Sequence, residues 1–529
     1  MVGGANWWRG AVIYQIYPLS FRDGGGDGLG DLSGVIERLP YIAQLGVDGI
    51  WLSPFFASPM KDFGYDVSDY TAVDPRFGSL ADFDTFIERA HALGLRVVID
   101  QVWNHTSDRH AWFQESAIAR AGDKADWYVW ADARPDGTAP NNWMAAFGGP
   151  SWTWNARRRQ YFYHHFLPQQ PDLNYWNSEV RAAILDAGRF WLERGVDGFR
   201  LDVVNYYFHD TSLADNPPRD RRRPPPWTYA FQRHEHDRSR PETLAFMGEI
   251  RALLDSFPER FSVGEIGDED ALARQREYTE GKHRLHTAYS FHLLADEPAT
   301  PARFVEGIEA WKGSDGWPAW SLGNHDVARY ATRIAGDDPA HMRALMVALV
   351  CLKGTVFLYQ GEELGLPQAE VPFERLKDPF AIQNYTGQAF RDGARTPMPW
   401  TKSGLNAGFS TAHETWLPLD ERHRALAADV QETDAGSMLY ATRRIIALRK
   451  EHPALRTGEI EVAEAPEGVL ALTRTHSDET LLCLVELAGT AASVELPAGA
   501  FLVFGLTGAE RVADGAAELP PFGAAIFSL

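Results

Sequence analysis

The sequence predicts an α/β protein built on a parallel (β/α)8 barrel, with a subdomain inserted after the third strand and an antiparallel β domain at the C-terminal end. Short apolar runs rich in β-branched and aromatic residues alternate with stretches of helical periodicity. Three of these runs end in a carboxylate: Asp202 in GVDGFRLD, Glu265 in FSVGEIG and Asp326 in WSLGNHD. The alternation stops near residue 455, where strands joined by short turns take over. A parallel barrel gathers the C-terminal ends of its strands at one mouth, where acids from distant parts of a chain can meet.

Eight strand candidates follow one another: AVIYQIYP at 11–18, GVDGIWLSP at 46–54, GLRVVIDQV at 94–102 and GVDGFRLDVV at 195–204, then FSVGEIG, LHTAYSFHLL, WPAWSLGNHD and GTVFLYQGEEL. Between them lie helical stretches such as DFDTFIERAHALG and VRAAILDAGRFWLERG. A doubly wound open sheet has the same local pattern, but residues fit for chemistry at so many different strand ends favour the barrel. The stretch 104–175 is too long for a strand-to-helix loop. Within it, SWTWNARRRQYFYHHF predicts two aromatic strands around an Asn-containing turn. The expected domains are therefore a barrel over 1–103 and 176–454, an inserted subdomain over 104–175 and a C-terminal β-sandwich over 455–529. The biased stretch NPPRDRRRPPPW at 216–227 follows the fourth strand and is expected over the mouth, as a Pro-stiffened loop or a wall shortening a substrate cleft.

Composition narrows the function classes. The 51 Lys and Arg against 72 Asp and Glu give a formal charge of −21, which repels phosphate backbones and anionic membrane surfaces. No nucleic acid and no membrane partner are expected. No apolar run reaches the roughly 18 residues of a membrane span. The first residues, MVGGANWWRG, lack the basic and apolar regions of a signal peptide, so a cytoplasmic location is expected. Cys351 in VALVCLKG and Cys483 in TLLCLVEL have apolar neighbours and should behave as small buried hydrophobes rather than as a disulfide framework.

Two converging carboxyl groups are the minimum equipment for cleaving a glycosidic bond. The strings DQVWNHTS, DGFRLD, GEIG and GNHD occur in that order, with QPDLN at 170–174. Together they resemble the motif regions of the α-amylase family of glycoside hydrolases, and within it the exo-acting α-glucosidase and oligo-1,6-glucosidase group. The resemblance extends from IYQIYPLSF to the C-terminal β domain. It implies that Asp202 is the nucleophile, Glu265 the acid/base and Asp326 the group that binds and distorts the sugar. It also implies retention of anomeric configuration, with the first two carboxyls about 5 Å apart. Arg200, two residues before Asp202 on the same strand face, can hold that carboxylate charged and joins the substrate-binding set.

His105 and His325 resemble the family's sugar-hydroxyl ligands. Asp62 and Tyr65, in MKDFGYDVSDY, resemble its clamp for a non-reducing terminal glucose, with Arg395 of DGARTPMPW as the Arg partner of that clamp. Phe147, Phe166 and Phe291 are candidate pocket walls. Val203, the residue after the nucleophile, resembles a linkage marker, Val accompanying α-1,6 preference and Thr or Ala α-1,4. The implied activity is a retaining α-glucosidase that removes single glucose units from short α-1,4- or α-1,6-glucosides. An oligo-1,6-glucosidase, and glucosyl transfer directed to sucrose or trehalose, are the alternatives within the family. The partner is a small oligosaccharide or glucoside; composition is silent on the oligomeric state.

DGGGDGLGDL at 23–32 has a calcium-loop pattern, with Asp23, Asp27, the Leu29 carbonyl and Asp31 as ligands and Gly28 at the turn. In the family the same segment binds Ca²⁺ or Mg²⁺. This chain departs from its pattern at Gly25, which has no side-chain oxygen, so a main-chain carbonyl or water must serve there. The expected role of the ion is structural, and no organic cofactor is expected.

Overall fold

The computed structural model describes residues 4, 6–219, 227–385, 390–509, 511–513 and 515–529. Eight parallel strands form the centre: β1 Val12–Ile16, β2 Gly49–Leu52, β3 Arg96–Gln101, β4 Gly198–Leu201, β5 Phe261–Ile266, β6 Thr287–Ser290, β7 Ala319–Ser321 and β8 Thr355–Tyr359. Their order in the sheet is β6-β5-β4-β3-β2-β1-β8-β7. A parallel bridge between Ala288 and Pro318 joins the two edges, so the strands run round in chain order as a closed barrel. All eight runs read from the sequence are strands of it. Being covered on both faces, they are buried almost throughout, which is why they appear as continuous apolar runs rather than as an alternation.

The period-2 pleat decides what lies inside. Ile13, Trp51, Val98, Phe261, Val263, Tyr289 and Phe357 form an inner cluster, plugged by Trp7, Trp8 and Trp317. Their neighbours Val12, Ile50, Val97, Ile99, Phe199, Leu201 and Ile266 belong to the outer core beneath the helices. Two residues further along the inward column, Val98 gives way to Asp100 and Val263 to Glu265, while Arg200 is followed by Asp202. The inner face is thus apolar low in the barrel and charged at its C-terminal mouth.

The covering helices begin where side chains can take up free N–H groups. Ser79 and Asp82 form a capping box on Leu80–Ala92, and Asn177 caps Ser178–Glu193. Pro339–Cys351, capped by Asp338, is buried on nearly every side because the C-terminal domain covers its outer face. That domain has a five-stranded antiparallel sheet and a three-stranded one. Val469, Leu482 and Phe527 of the first meet Val494 and Leu519 of the second in one core, while Leu472, Leu481 and Cys483 turn toward the barrel. Cys351 and Cys483 are both buried and free.

After β3 the chain forms a small antiparallel sheet of Trp130–Ala131, Gln160–Tyr163 and Trp152–Asn155 in that spatial order. The turn between the last two is fixed by Asn155, whose Oδ1 accepts from the N–H groups of Arg157 and Arg158 at 3.0 and 2.9 Å. A short antiparallel pair, Phe56–Ala57 with Asp69–Val73, has no counterpart in the sequence-based expectation. It carries the loop with Asp62 and Tyr65. Of the 216–227 stretch, residues 220–226 lie outside the described residues. Among the described residues no helix is long and apolar enough to cross a membrane.

Candidate active site

A cavity of about 1400 Å³ opens at the barrel mouth. Asp202, Glu265 and Asp326 line it, as do Asp62, Tyr65, His105, Phe147, Phe166, Val203 and Phe291. Arg200 lies beneath, fully buried. Its Nη1 donates to Asp100 Oδ1 at 2.7 Å and Asp202 Oδ1 at 2.6 Å, and its Nη2 lies 2.6 Å from Glu265 Oε2. Tyr289 OH accepts from Nε and Nη2 of Arg200 and donates to Glu265 Oε1 at 3.2 Å. One guanidinium therefore holds both carboxyls on the same side of the barrel mouth.

Val203 has φ +37° and ψ +48°, a left-handed conformation that costs a β-branched residue about 1–3 kcal/mol. The turn brings its N–H to within 3.3 Å of Glu265 Oε2 and starts the 3-10 turn Val204–Tyr206.

One positive charge faces three carboxyls here, so full ionisation would leave an uncompensated negative pair. Burial, opposed by Arg200 and reinforced by Asp202 and Asp326, pushes Glu265 up to about 8. Burial likewise raises Asp202 to about 7 despite Arg200, and Asp100 to about 6. Asp202 gives up its proton before Glu265 does. Burial opposes charge at Asp326 as well, but the guanidinium groups of Arg391 and Arg395 hold its carboxyl well below the usual range. The site thus contains one firmly ionised acid, one that ionises near neutrality and one that holds its proton longest.

Tyr65 is stacked on His325 at 5.3 Å, with its hydroxyl 2.5 Å from His325 Nε2 and 3.0 Å from Asp100 Oδ2. Gln15 donates to His325 Nδ1 at 2.8 Å, so the neutral imidazole carries its proton on Nε2. Burial keeps His325 well below its ordinary pKa and lowers His105 to about 4. His105 Nε2 lies 2.9 Å from the Tyr65 carbonyl, and Phe166 packs between His105 and Phe147.

Residues 15–458 match the family described as "Alpha amylase, catalytic domain". The chain belongs to the α-amylase family of glycoside hydrolases. It is 51% identical to a probable alpha-glucosidase of Rhizobium meliloti over 93% of this chain and 91% of that one. Identity to an oligo-1,6-glucosidase of Heyndrickxia coagulans is 36%, over 93% and 94%. A crystal structure of an alpha-glucosyl transfer enzyme superposes with a TM-score of 0.94 at 50% identity, covering 99% of both chains.

Within this α-amylase-family site one expectation needs correction. Arg395 is not the partner of Asp62: it is fully buried, with Nε donating to the His325 carbonyl at 2.7 Å and Nη2 to Asp326 Oδ1 at 2.9 Å. Arg391 faces Asp62 instead. Its Nη2 donates to Asp62 Oδ1 at 3.0 Å and to Asp378 Oδ1 at 2.7 Å, while Nη1 reaches Asp326 Oδ1 at 3.0 Å. Arg391 lies in the helix Phe390–Ala394 and Arg395 directly follows it, four residues on, so only the contacts distinguish them. Burial raises Asp62 to about 6, against the pull of Arg391 and Arg395.

Four residues at the site escaped the sequence reading: Arg391, Asp100, Tyr289 and Gln170. Gln170 Nε2 donates to Asp62 Oδ2 at 3.3 Å and to the Tyr65 carbonyl at 3.0 Å. Asp100 and Gln170 both begin motif strings, so the signal was present; Tyr289 carried none.

In the loop 23–31, Asp23 accepts from the N–H groups of Gly26 and Gly28 at 2.5 and 2.8 Å, and Asp27 from that of Leu29 at 2.9 Å. Asp31 accepts from Gly25 at 2.8 Å and Gly34 at 2.7 Å. A Cβ placed on Gly25 would lie 3.2 Å from Asp31 Oδ2 and 3.8 Å from Asp23 Oδ1, so those two carboxylates face a common space. This oxygen-only set suits a hard cation. Among the described residues no group of three or more His, Cys, Asp or Glu side chains converges as metal ligands.

Replacing Arg391 strips Asp62, Asp378 and Asp326 of a shared counter-charge. Arg391→Met is expected to lower unfolding stability by about 3 kcal/mol, measured from urea midpoints; an unshifted midpoint would show that the network is satisfied without it.

Proposed function

We propose that the chain is a retaining, exo-acting α-glucosidase that removes the terminal glucose from short α-glucosides. The observation that carries this is the shared grip of Arg200 on Asp202 and Glu265. Both carboxyls lie 2.6 Å from nitrogens of one guanidinium, and this proximity supports a covalent route over one with water between them.

In this reading the Glu265 carboxyl gives its proton to the glycosidic oxygen while the Asp202 carboxylate attacks the anomeric carbon, and the bond to the leaving group breaks. Glu265, now a carboxylate, takes a proton from water. The resulting hydroxide attacks the same carbon and displaces Asp202, restoring the α configuration. Asp326, firmly charged, binds sugar hydroxyls more strongly as the ring flattens toward the oxocarbenium-like state. Closure of the pocket end by the ion pair of Asp62 with Arg391 supports attack on terminal sugars only.

Transfer to an acceptor other than water is a second outcome of the same intermediate. The similarity to a structure named as an alpha-glucosyl transfer enzyme supports it. A cytoplasmic setting fits the two buried free thiols.

Release of chromophore from 4-nitrophenyl α-glucoside tests the whole reading. For the wild type, kcat/KM should peak between pH 7 and 8, falling below as Asp202 gains a proton and above as Glu265 loses one. Asp202→Asn should abolish turnover at every pH, and retained activity in that variant would falsify the nucleophile assignment.

Val203 supports use of α-1,6 bonds, but a difference of one side chain's bulk is worth only about 1–3 kcal/mol. Comparable kcat/KM values on isomaltose and maltose are expected, within about 100-fold, and strict use of maltose would remove Val203 as the marker.

We further propose that Ca²⁺ or Mg²⁺ is held by Asp23, Asp27, Asp31 and the Leu29 carbonyl, with Gly25 contributing backbone alone. The ion would supply charge neutralisation for the loop. Added Ca²⁺ at about 100 times its Kd should raise unfolding stability by about 2.7 kcal/mol, and Asp27→Ala should blunt that response. Identical melting curves with Ca²⁺ and with chelator would refute this site.

A further inference from the structure

Arg238 is buried, yet no ion pair is made by its guanidinium among the described residues. Its side-chain hydrogen bonds run from Nη1 to two phenol oxygens, Tyr206 at 3.2 Å and Tyr229 at 3.1 Å. Asp237 and Asp268 offset the buried charge at longer range, while its direct hydrogen bonds polarise the two hydroxyls.

The two phenol oxygens are 3.2 Å apart, so one hydroxyl proton lies between them and the other must point elsewhere. Tyr229 is buried away from the cavity, with His234 stacked on its ring at 3.6 Å, and among the described residues it has no other acceptor for its proton. Tyr229 therefore donates to Tyr206. Tyr206 accepts from Arg238 and from Tyr229, and among the described residues nothing accepts its own proton.

Tyr206 lines the substrate cavity. Its hydroxyl sits beside Gly267, where an added Cβ would come within 3.4 Å of it. Gly267 also lines the cavity, two residues beyond Glu265. The two loops are tied together by Asn205 Nδ2, which donates to the Gly267 carbonyl at 3.0 Å and to Ser239 Oγ at 2.9 Å. Stacking of Phe166 on Tyr206 at 6.0 Å holds the ring from the other side. The free proton is thus presented in the cavity that Glu265 also lines, beside Gly267.

We propose that the Tyr206 hydroxyl, polarised by Arg238, donates a hydrogen bond to a hydroxyl of the group leaving from the anomeric carbon, beside the oxygen that Glu265 protonates. Tyr206 is then a specificity residue for hydroxylated leaving groups, meaning a second sugar or a polyol, and Arg238 is its positioning residue. The inference rests on the α-glucosidase reading above and assigns the far side of the same site. An aryl leaving group has no hydroxyl to offer at that place.

The test compares maltose with 4-nitrophenyl α-glucoside for wild type, Tyr206→Phe, Arg238→Met and Arg238→Lys. Tyr206→Phe should lower kcat/KM on maltose by about 10- to 100-fold and change the aryl substrate by less than about 3-fold. Arg238→Met should show the same selectivity, with partial recovery in Arg238→Lys. If Arg238→Met fails to fold, Tyr206→Phe alone decides. Equal loss on both substrates, or no loss on either, overturns the role of Tyr206. A wild type inert on both glucosides overturns the glycosidase reading itself, so the two failures are separable.

Discussion

Arg200 sits at the top of the inward column of β4, its Nη1 bound to Asp100 and Asp202 and its Nη2 to Glu265. Burying a guanidinium and three carboxyls together is costly, and the arrangement persists only because the charges satisfy one another with hydrogen bonds from Tyr289, Tyr65 and Trp51. Removing any member strands the others. The spacing of the two acids, the order in which they ionise and the placing of Tyr65 over His325 all follow from this cluster. The aromatic packing lower in the barrel gives it a rigid floor.

A second charged cluster lies beside it, built on Arg391 and Arg395. Both donate to Asp326 Oδ1, and Arg391 also reaches Asp62 and Asp378. The first cluster has too little positive charge and so retains a proton; the second has enough to keep Asp326 charged. One mouth thereby contains acids in different protonation states, set by the arginines beside each. Proton distribution is set by which strand or loop supplies the arginines.

The barrel was legible because its strands are buried on both faces and stand out as apolar runs, and because Asp202, Glu265 and Asp326 end three of them. His105, Asp62 and Tyr65 were found through motif strings, and all three line the cavity. What could not be read were pairings over long separations in the chain. Arg391 and Arg395 are only four residues apart, so spacing cannot say which reaches a carboxylate over 300 residues away. Tyr289 is one aromatic residue in an apolar strand, indistinguishable by pattern from Phe261 or Phe357. The hairpin Phe56–Ala57 with Asp69–Val73 was missed because strands so short have no periodicity to display.

Seven of the joints around the barrel are continuous ladders, whereas β6 and β7 meet through the bridge of Ala288 with Pro318. The Thr287 hydroxyl adds a stitch to the Trp317 carbonyl at 2.6 Å. A ring with one thin joint has its elastic compliance concentrated there. Phe291, which lines the cavity, follows directly after β6, at the rim of this joint. The helix Pro301–Ala310 spans the connection from β6 to β7, and the strand Val469–His476 of the C-terminal domain lies against that helix. Among the described residues the C-terminal domain contributes none to the mouth, but it acts as a hoop around the place where the barrel could gape.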